Sequence, residues 1–280
     1  MKFSHHLESR QGGRSNNEDR LMFCQSEAAL LLVAADGMGG YDAGEVAAEL
    51  TVDLLKARFS ESARPRLDDP FAFLDSGLRA AHTALHAHAK RKGMAKTPCT
   101  TCVAAVIQDN VAYWVHAGDS RLFHLREGRV LTQTRDHSYL RRLLDAGQIT
   151  PSQALRHPER HLVTSCLGGP QPPEIDFSRQ TPLETGDILL LATDGLWQVI
   201  GGEQLATLLQ HPPHLQRLPA LMAVAEKQAG PQGDNLSLVA VRWEDSYSAA
   251  LAPQPTHDSN EIDKVLADID AALQRYSAPR

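Results

Sequence analysis

The stretch TTCVAAVIQDNVAYWVHAGDSRLFHLREGRVLTQTRDH, residues 100–137, is a train of short runs rich in β-branched and apolar residues. Three turn signals divide it: QDN at 108–110, GDS at 118–120 and REG at 126–128. Parallel strands need a crossover of about a dozen residues or more, so strands joined this tightly are antiparallel neighbours. The stretch therefore reads as a meander of antiparallel hairpins.

Toward the N-terminus, RLMFCQ (20–25) and AALLLVAAD (28–36) read as two further strands joined by a short polar turn. AGEVAAELTVDLLKARF (43–59) follows, with Val46, Leu50, Leu54 and Leu55 at helical spacing and Asp42 placed to cap it, Glu45 three residues on. A second helix is expected from about Pro70 to Lys90, its apolar stripe being Phe71, Leu74, Leu78, Ala81 and Leu85. Toward the C-terminus, residues 138–180 are less regular, with a short helix from Tyr139 to Ala146. DILLLATDG (187–195) is another buried strand, helical patterns lie around 203–210 and 215–229, and NLSLVAVRW (235–243) is the last strand. Strands cluster and helices come in pairs, without strict βαβ alternation or any internal repeat. That pattern favours an α+β fold of antiparallel sheets with helices packed outside.

The compact part is expected to span residues 1–245. YSAALAPQPTHDSN (247–260) is polar and carries prolines, which suits a linker. A short amphipathic helix then presents Ile262, Val265, Leu266, Ile269 and Leu273 on one face, with Asp258 and Glu261 as a capping box. The 246–280 tail is expected either to dock on its own domain or to bind a partner from a tether.

Of 280 residues, about two-fifths are apolar and a fifth charged, and the formal net charge is −6 without a long basic run. Nucleic acid and anionic membranes are poor candidates as partners for such a chain. No stretch approaches the ~20 apolar residues of a membrane span. The opening MKFSHHLESRQGG lacks a signal-peptide core. A cytoplasmic location is the expectation. Cys99 and Cys102 form CTTC, but Cys24 and Cys166 are isolated, so the four read as small buried thiols rather than a zinc or redox centre.

Acidic residues share a context. Asp36 ends an apolar run and precedes Gly37; Asp194 ends another and precedes Gly195; Asp234 sits directly before a strand in QGDNLSLVAV. Glu18 and Asp19 lie in RSNNEDR, and Asp119 in HAGDSR. Each marks the lip of a strand. Any single Asp-Gly marks a turn, but gathering several carboxylates at sheet edges is costly unless cations neutralise them. Hard divalent ions with oxygen ligands, Mg2+ or Mn2+, fit that donor set. A glycine after Asp36 lets the backbone come close to an ion.

RSNNED, ADGMGG, AGEVAA, GDSR, DHS, ATDGLW and GDNLSLV occur in an order that resembles the metal-dependent Ser/Thr protein phosphatases of the type 2C (PPM) family, in its bacterial form. The resemblance covers residues 5 to about 243. It implies two packed antiparallel β-sheets flanked by helix pairs, a four-layer α-β-β-α sandwich. It also implies hydrolysis of phosphoserine and phosphothreonine by a water activated at a centre of two or three Mn2+ or Mg2+ ions. By motif, Asp36 would bridge two ions, with the Gly37 carbonyl on one; Asp194 and Asp234 would complete the first site, and Glu18 the second, largely through water. Asp119 matches a third, weaker site, and Arg14 the arginine that grips the substrate phosphate, whose planar fork suits phosphate. Phosphorylated proteins would be the partners, together with a Ser/Thr kinase whose action the phosphatase opposes.

Two departures stand out. Met38 occupies the place of a histidine proposed as proton donor in many eukaryotic members; a thioether has no such proton, and water is expected to serve. Cys99 replaces a family glycine, with only a local packing change expected. Residues 138–180 correspond to the family's flap beside the active site, where His157 and His161 read as solvated. His82 and His86 lack a third ligand and read as a solvated border; Trp197 is expected to pack under the site and Trp114 in the core. A catalytically silent binding module is the alternative, but the acidic set is complete. Another two-metal hydrolase such as a nuclease would need a basic surface.

Overall fold

The computed structural model describes residues 1–38, 43–154, 156–160 and 162–245, all within one compact unit, Met1–Ser246. Asp42, His161 and the 246–280 tail, with its expected helix, lie outside the described residues. The chain opens with β1 (Phe3–Arg10), β2 (Asp19–Gln25), β3 (Ala29–Met38), α1 (Gly44–Ser62) and α2 (Pro70–Lys92). The meander follows as β4 (Cys99–Thr100), β5 (Cys102–Gln108), β6 (Val111–Ala117), β7 (Arg121–Arg126) and β8 (Arg129–Gln133). The flap region holds α3 (Tyr139–Asp145), α4 (Pro151–Ala154) and the short strands β9 (Asp176–Phe177) and β10 (Thr181–Pro182). The chain closes with β11 (Ile188–Ala192), α5 (Asp194–Trp197), α6 (Gly202–Leu209), a 3-10 turn at His214–Arg217, α7 (Leu218–Ala229) and β12 (Leu236–Trp243).

Two antiparallel sheets form. One has the order β1-β12-β11-β7-β8; the other runs β10-β6-β5-β3-β2, with β4 on β3 and β9 on β6. Parity along β3 explains the unbroken apolar run. Leu30, Leu32 and Ala34 pack between the sheets with Val103, Ile107, Leu189, Leu191, Val239 and Trp243. Leu31, Val33 and Ala35 point the other way, onto Val52, Leu55, Leu74, Leu78 and Leu85 of the first helix pair. The second pair covers the outer face of the other sheet, where Leu205, Leu209, Leu218 and Met222 meet Leu190, Leu236 and Leu238. Both faces of the central strands of both sheets are therefore dry, and the fold is a four-layer sandwich.

Helix ends follow local chemistry where the sequence supplies it. Asp69 caps α2 by accepting from the Ala72 N–H at 3.0 Å, Pro70 opens it, and Gly93 closes it at φ 64° after Lys90, Arg91 and Lys92. Ser138 caps α3 through the Arg141 N–H. Helix α1 departs from expectation. Its N-cap position is Ala43, without a side-chain cap. The Glu18 carboxylate instead lies where a Gly44 Cβ would stand, so a negative charge meets the positive end of the helix.

Two elements differ from the sequence reading. β1 pairs with β12 along its whole length, from Phe3 opposite Trp243 to Arg10 opposite Leu236. FSHHLESR is mostly polar because it is an edge strand, and its pattern gives little periodic signal. Asp194 does not sit in a plain turn but opens the single helical turn of α5.

The four-layer packing predicts that Leu31→Ala and Leu32→Ala, adjacent residues on opposite faces of β3, each lower stability by about 2–5 kcal/mol in urea unfolding. A one-sided sheet would respond strongly to only one of the two.

Candidate metal centre

Strand direction brings the acids to one rim. The end of β3 lies against the start of β2, with Asp36 opposite Asp19. In the other sheet the end of β11 lies against the start of β12, between Asp194 and Asp234. The β6–β7 connection crosses from one sheet to the other at the same end, since Ala117 pairs with Cys102 and Arg121 with Ala192. That connection carries Asp119. By parity Asp36 shares the face of Leu30, Leu32 and Ala34, so its carboxylate lies at the end of the inter-sheet core.

Backbone and hydroxyl bonds fix this rim. The Asp36 carbonyl accepts from the Thr101 N–H and the Thr100 hydroxyl, both at 2.8 Å, and the Asp36 N–H donates to Thr101 Oγ1 at 3.2 Å. Thr101 Oγ1 also bonds Ser120 Oγ at 2.7 Å, tying the Asp119 turn to the same strap. The Gly37 N–H donates to the Glu18 carbonyl at 3.2 Å. A Cβ on Gly37 would run into the Gly44 carbonyl, so only glycine permits this approach. Asn235 accepts from the Glu18 N–H at 2.9 Å and donates to the Gln11 and Asn16 carbonyls at 2.7 and 2.9 Å, binding the 11–18 loop to β12. Trp197 does sit under the site: its Nε1–H donates to the Asp119 carbonyl at 3.0 Å, and the Arg121 guanidinium lies 3.5 Å over its ring. Arg121 in turn forms two 2.7 Å bonds to Asp136, the acid of the DHS motif.

The electrostatics are unbalanced. Burial first, then Asp19, Asp194, Asp119 and Asp234 in that order, push the Asp36 carboxyl well above its ordinary range. Asp119 is raised likewise by burial and by Asp194 and Asp136. Asp19 is raised to about 7 by burial, against hydrogen bonds from Ser237 and Thr193 that lower it. Asp194 accepts from Gln198 Nε2 at 2.8 Å. At the mouth, the half-exposed Arg14 donates through Nη2 to Asp234 Oδ2 at 2.6 Å and also feels Asp194 and Asp36. A group of buried or half-buried oxygen donors, mutually repelling and facing one arginine, has the chemistry of a site for hard divalent cations.

A residue-8-to-237 match to the protein phosphatase 2C family model covers most of the chain. The chain belongs to that family. Among its relatives, the serine/threonine protein phosphatase PstP of Mycobacterium tuberculosis is 34% identical over 232 residues, 81% of this chain and 42% of the relative. The chain thus spans less than half the length of PstP. The protein phosphatase PhpP of Streptococcus pneumoniae is 30% identical over 235 residues, 83% of this chain and 95% of the relative. The PstP catalytic domain in complex with two manganese ions superposes with a TM-score of 0.72 at 32% identity, covering 87% of this chain and 99% of that one.

Within this phosphatase fold several residues act otherwise than their sequence suggests. Asp19 was legible only as the neighbour of Glu18; its place opposite Asp36 depends on strand register. His82 and His86 are not a solvated border: His82 Nδ1 accepts from the Gly168 N–H at 3.1 Å, and His86 bonds the Gly169 carbonyl and Thr97, both at 3.0 Å, so they pin the end of the flap. His157 Nδ1 accepts from the Glu159 N–H within its own loop. Trp114 is core. A histidine cluster of His116, His137 and Asp176 brings ligand-type atoms within 4.8 Å of one another. The Gly118 N–H occupies His137 Nδ1 at 3.3 Å, which leaves the ring proton on Nε2, 3.3 Å from the Asp176 carboxylate. A protonated nitrogen is not a ligand, and β9 is held to the meander by its pairing with β6.

The raised carboxyls give a signed prediction. A folded-state value above the unfolded one stabilises the protein at low pH and loses that contribution as pH rises through the folded value, for Asp19 between about 4 and 7. In chelator, the melting temperature should fall on the order of 5–10 °C from pH 5 to pH 8, and Asp19→Asn should flatten that slope. Added Mn2+ at pH 8 should raise it again. A flat or rising profile in chelator for the unaltered protein would contradict the electrostatic account.

Proposed function

We propose that this chain hydrolyses phosphoserine and phosphothreonine esters of proteins, with two Mn2+ or Mg2+ ions, and a third more weakly, held at the sandwich rim. The observation that carries the proposal is the meeting of Asp36, Asp19, Asp119, Asp194 and Asp234 at one edge, with Arg14 on Asp234. Asp36, Asp194 and Asp234 would hold one ion; Asp36, the Gly37 carbonyl and Glu18 would hold the other. Asp119, whose ionisation is opposed by burial and by Asp194, suits the third. Bound there, such ions supply Lewis acidity and a hydroxide at neutral pH.

The chain's own groups have separable roles. Arg14 is exposed enough to meet a phosphate and charged at any physiological pH. Its fork can leave one N–H on Asp234 while presenting others to phosphoryl oxygens. Thr100 and Thr101 hold the Asp36 backbone, so the carboxylate cannot swing away from its like-charged neighbours. Met38 brings no proton to the leaving oxygen. The flap, fastened at Gly168 and Gly169, forms part of the surface that a phosphoprotein would meet. A Ser/Thr kinase would supply the substrate, and the names of the PstP and PhpP relatives support that class of reaction. A cytoplasmic setting agrees with the described residues, in which no helix is long and apolar enough to cross a membrane.

The test is hydrolysis of p-nitrophenyl phosphate and of a phosphothreonine peptide. Turnover should require Mn2+ or Mg2+ and vanish in chelator. Asp36→Asn should lower kcat by about 1000-fold, the scale expected when a preorganised charge partner is lost. Arg14→Ala should raise KM and lower kcat/KM by about 10- to 100-fold, without rescue by Arg14→Lys. Turnover that survives chelation would reject the proposal.

A further inference from the structure

Two of the four cysteines face each other across a junction that the proposed chemistry does not use. Cys99 opens β4, where it pairs with Met38 of β3. The next residue, Thr100, exchanges two backbone bonds with Leu167 of the flap, at 3.0 and 2.9 Å. With Thr100 opposite Leu167 in an antiparallel bridge, Cys99 and Cys166 fall on the same face as diagonal neighbours. The Cys99 thiol donates to the Thr97 carbonyl at 3.5 Å, and the two thiols lie near enough for each to shift the other's ionisation. Both are half-buried, whereas Cys102 is fully buried; Cys24, also half-buried, lies in β2.

The thiols are also unequal. The neighbouring Cys166 brings the Cys99 thiol down to about 7, while the Cys166 thiol is pushed up by Cys99 and by burial. Cys102 is pushed up to about 12 by burial alone. A thiolate near neutrality, partly open to solvent and next to a second thiol, is the arrangement of an oxidisable pair. The sequence reads all four as small buried thiols; all four are free, but only Cys102 is fully buried.

We propose that Cys99 and Cys166 are an oxidation site at which a hydroperoxide makes a disulfide between the flap and the strap that holds Asp36. The Cys99 thiolate attacks one oxygen of hydrogen peroxide; an S–O bond forms, the O–O bond breaks, and hydroxide leaves to become water. The Cys166 sulfur then attacks the sulfenic sulfur of Cys99; the S–S bond forms, the S–O bond breaks, and the departing hydroxide takes the Cys166 proton as a second water. Two thiols are oxidised to one disulfide and one peroxide is reduced to two waters. A dithiol reverses the bridge.

The bridge draws two sulfurs of diagonal neighbours to about 2.05 Å. That motion pulls β4 toward residues 166–169, and β4 carries the hydroxyl on the Asp36 carbonyl and pairs with Gly37. Its effect on turnover rests on the proposed phosphatase reading; its formation does not.

The full chain, reduced and freed of reductant, is treated with a few equivalents of hydrogen peroxide, alkylated and digested without reduction. Mass spectrometry should find Cys99 joined to Cys166, also in a Cys102→Ser variant that removes the other thiol of that peptide. In Cys166→Ser or Cys166→Ala, Cys99 should instead be trapped by dimedone as sulfenic acid. Free alkylated Cys99 and Cys166 after treatment, or a bridge to Cys24 or Cys102, would overturn the site. Oxidation should lower phosphatase turnover at least threefold in the unaltered chain, reversibly by dithiothreitol, and leave Cys166→Ser unaffected. A complete bridge with unchanged turnover would overturn its control of the reaction. A reduced chain without any turnover would count against the phosphatase reading and leave the bridge to be judged by mass alone.

Discussion

Repulsion among carboxylates that cannot move apart is the constraint on which this structure turns. Moving even one carboxylate out of water costs several kcal/mol, and a neighbour of like charge adds to it. Here Asp19 and Asp36 stand directly opposite each other on adjacent strands, an arrangement that sheets otherwise avoid. Relaxation is blocked on every side: the Asp36 backbone is held by Thr100 and Thr101, Asp19 by Thr193, and the Glu18 loop by Asn235. The rim stores unfavourable electrostatics that a divalent cation relieves, and a site already rigid loses little further freedom when one binds.

Topology does the gathering. Each sheet contributes a pair in which a strand ending in Asp-Gly meets the start of its antiparallel partner: β3 with β2, and β11 with β12. The chain passes between sheets at the same edge through the Asp119 turn. Five acids spread over more than 200 residues of sequence meet because strand direction is alternated, and no long loop is needed to carry them. The dry faces above and below this edge keep it in register, since a one-residue slip of β3 would exchange its inter-sheet and helix-facing side chains and swing Asp36 away.

What was legible in the sequence follows from this. Apolar runs ending abruptly in Asp-Gly announce strand ends with charge, and the turn signals of residues 100–137 announce antiparallel pairing. The alternation within LLLVAA was hidden, because both faces of its strand are covered and both carry apolar residues. Asp19 could not be separated from Glu18, since only pairing with β3 decides which of two adjacent acids looks into the sandwich. β1 was missed because FSHHLESR lies at an edge, with His and Glu where a central strand would carry aliphatics. His82 and His86 looked solvated because their partners, Gly168 and Gly169, lie more than 80 positions away in an irregular segment.

β4 is only two residues long, yet it is shared. On one edge Thr100 pairs with Gly37, the glycine beside Asp36; on the other it pairs with Leu167 of the flap. The flap end is anchored a second time on α2 through His82 and His86. Residues 166–169 therefore cannot shift as a unit without either breaking the Thr100–Leu167 bonds or dragging the Thr100 hydroxyl that holds the Asp36 carbonyl. A thiol at position 99 leaves the Asp36 grip intact because its side chain lies on the face it shares with Cys166. It sits beside the point where the backbone links the flap end to the strand of Asp36. In this chain the end of the flap and the rim acids are thus linked through one short strand, by the Thr100 bonds to Leu167 and to the Asp36 carbonyl.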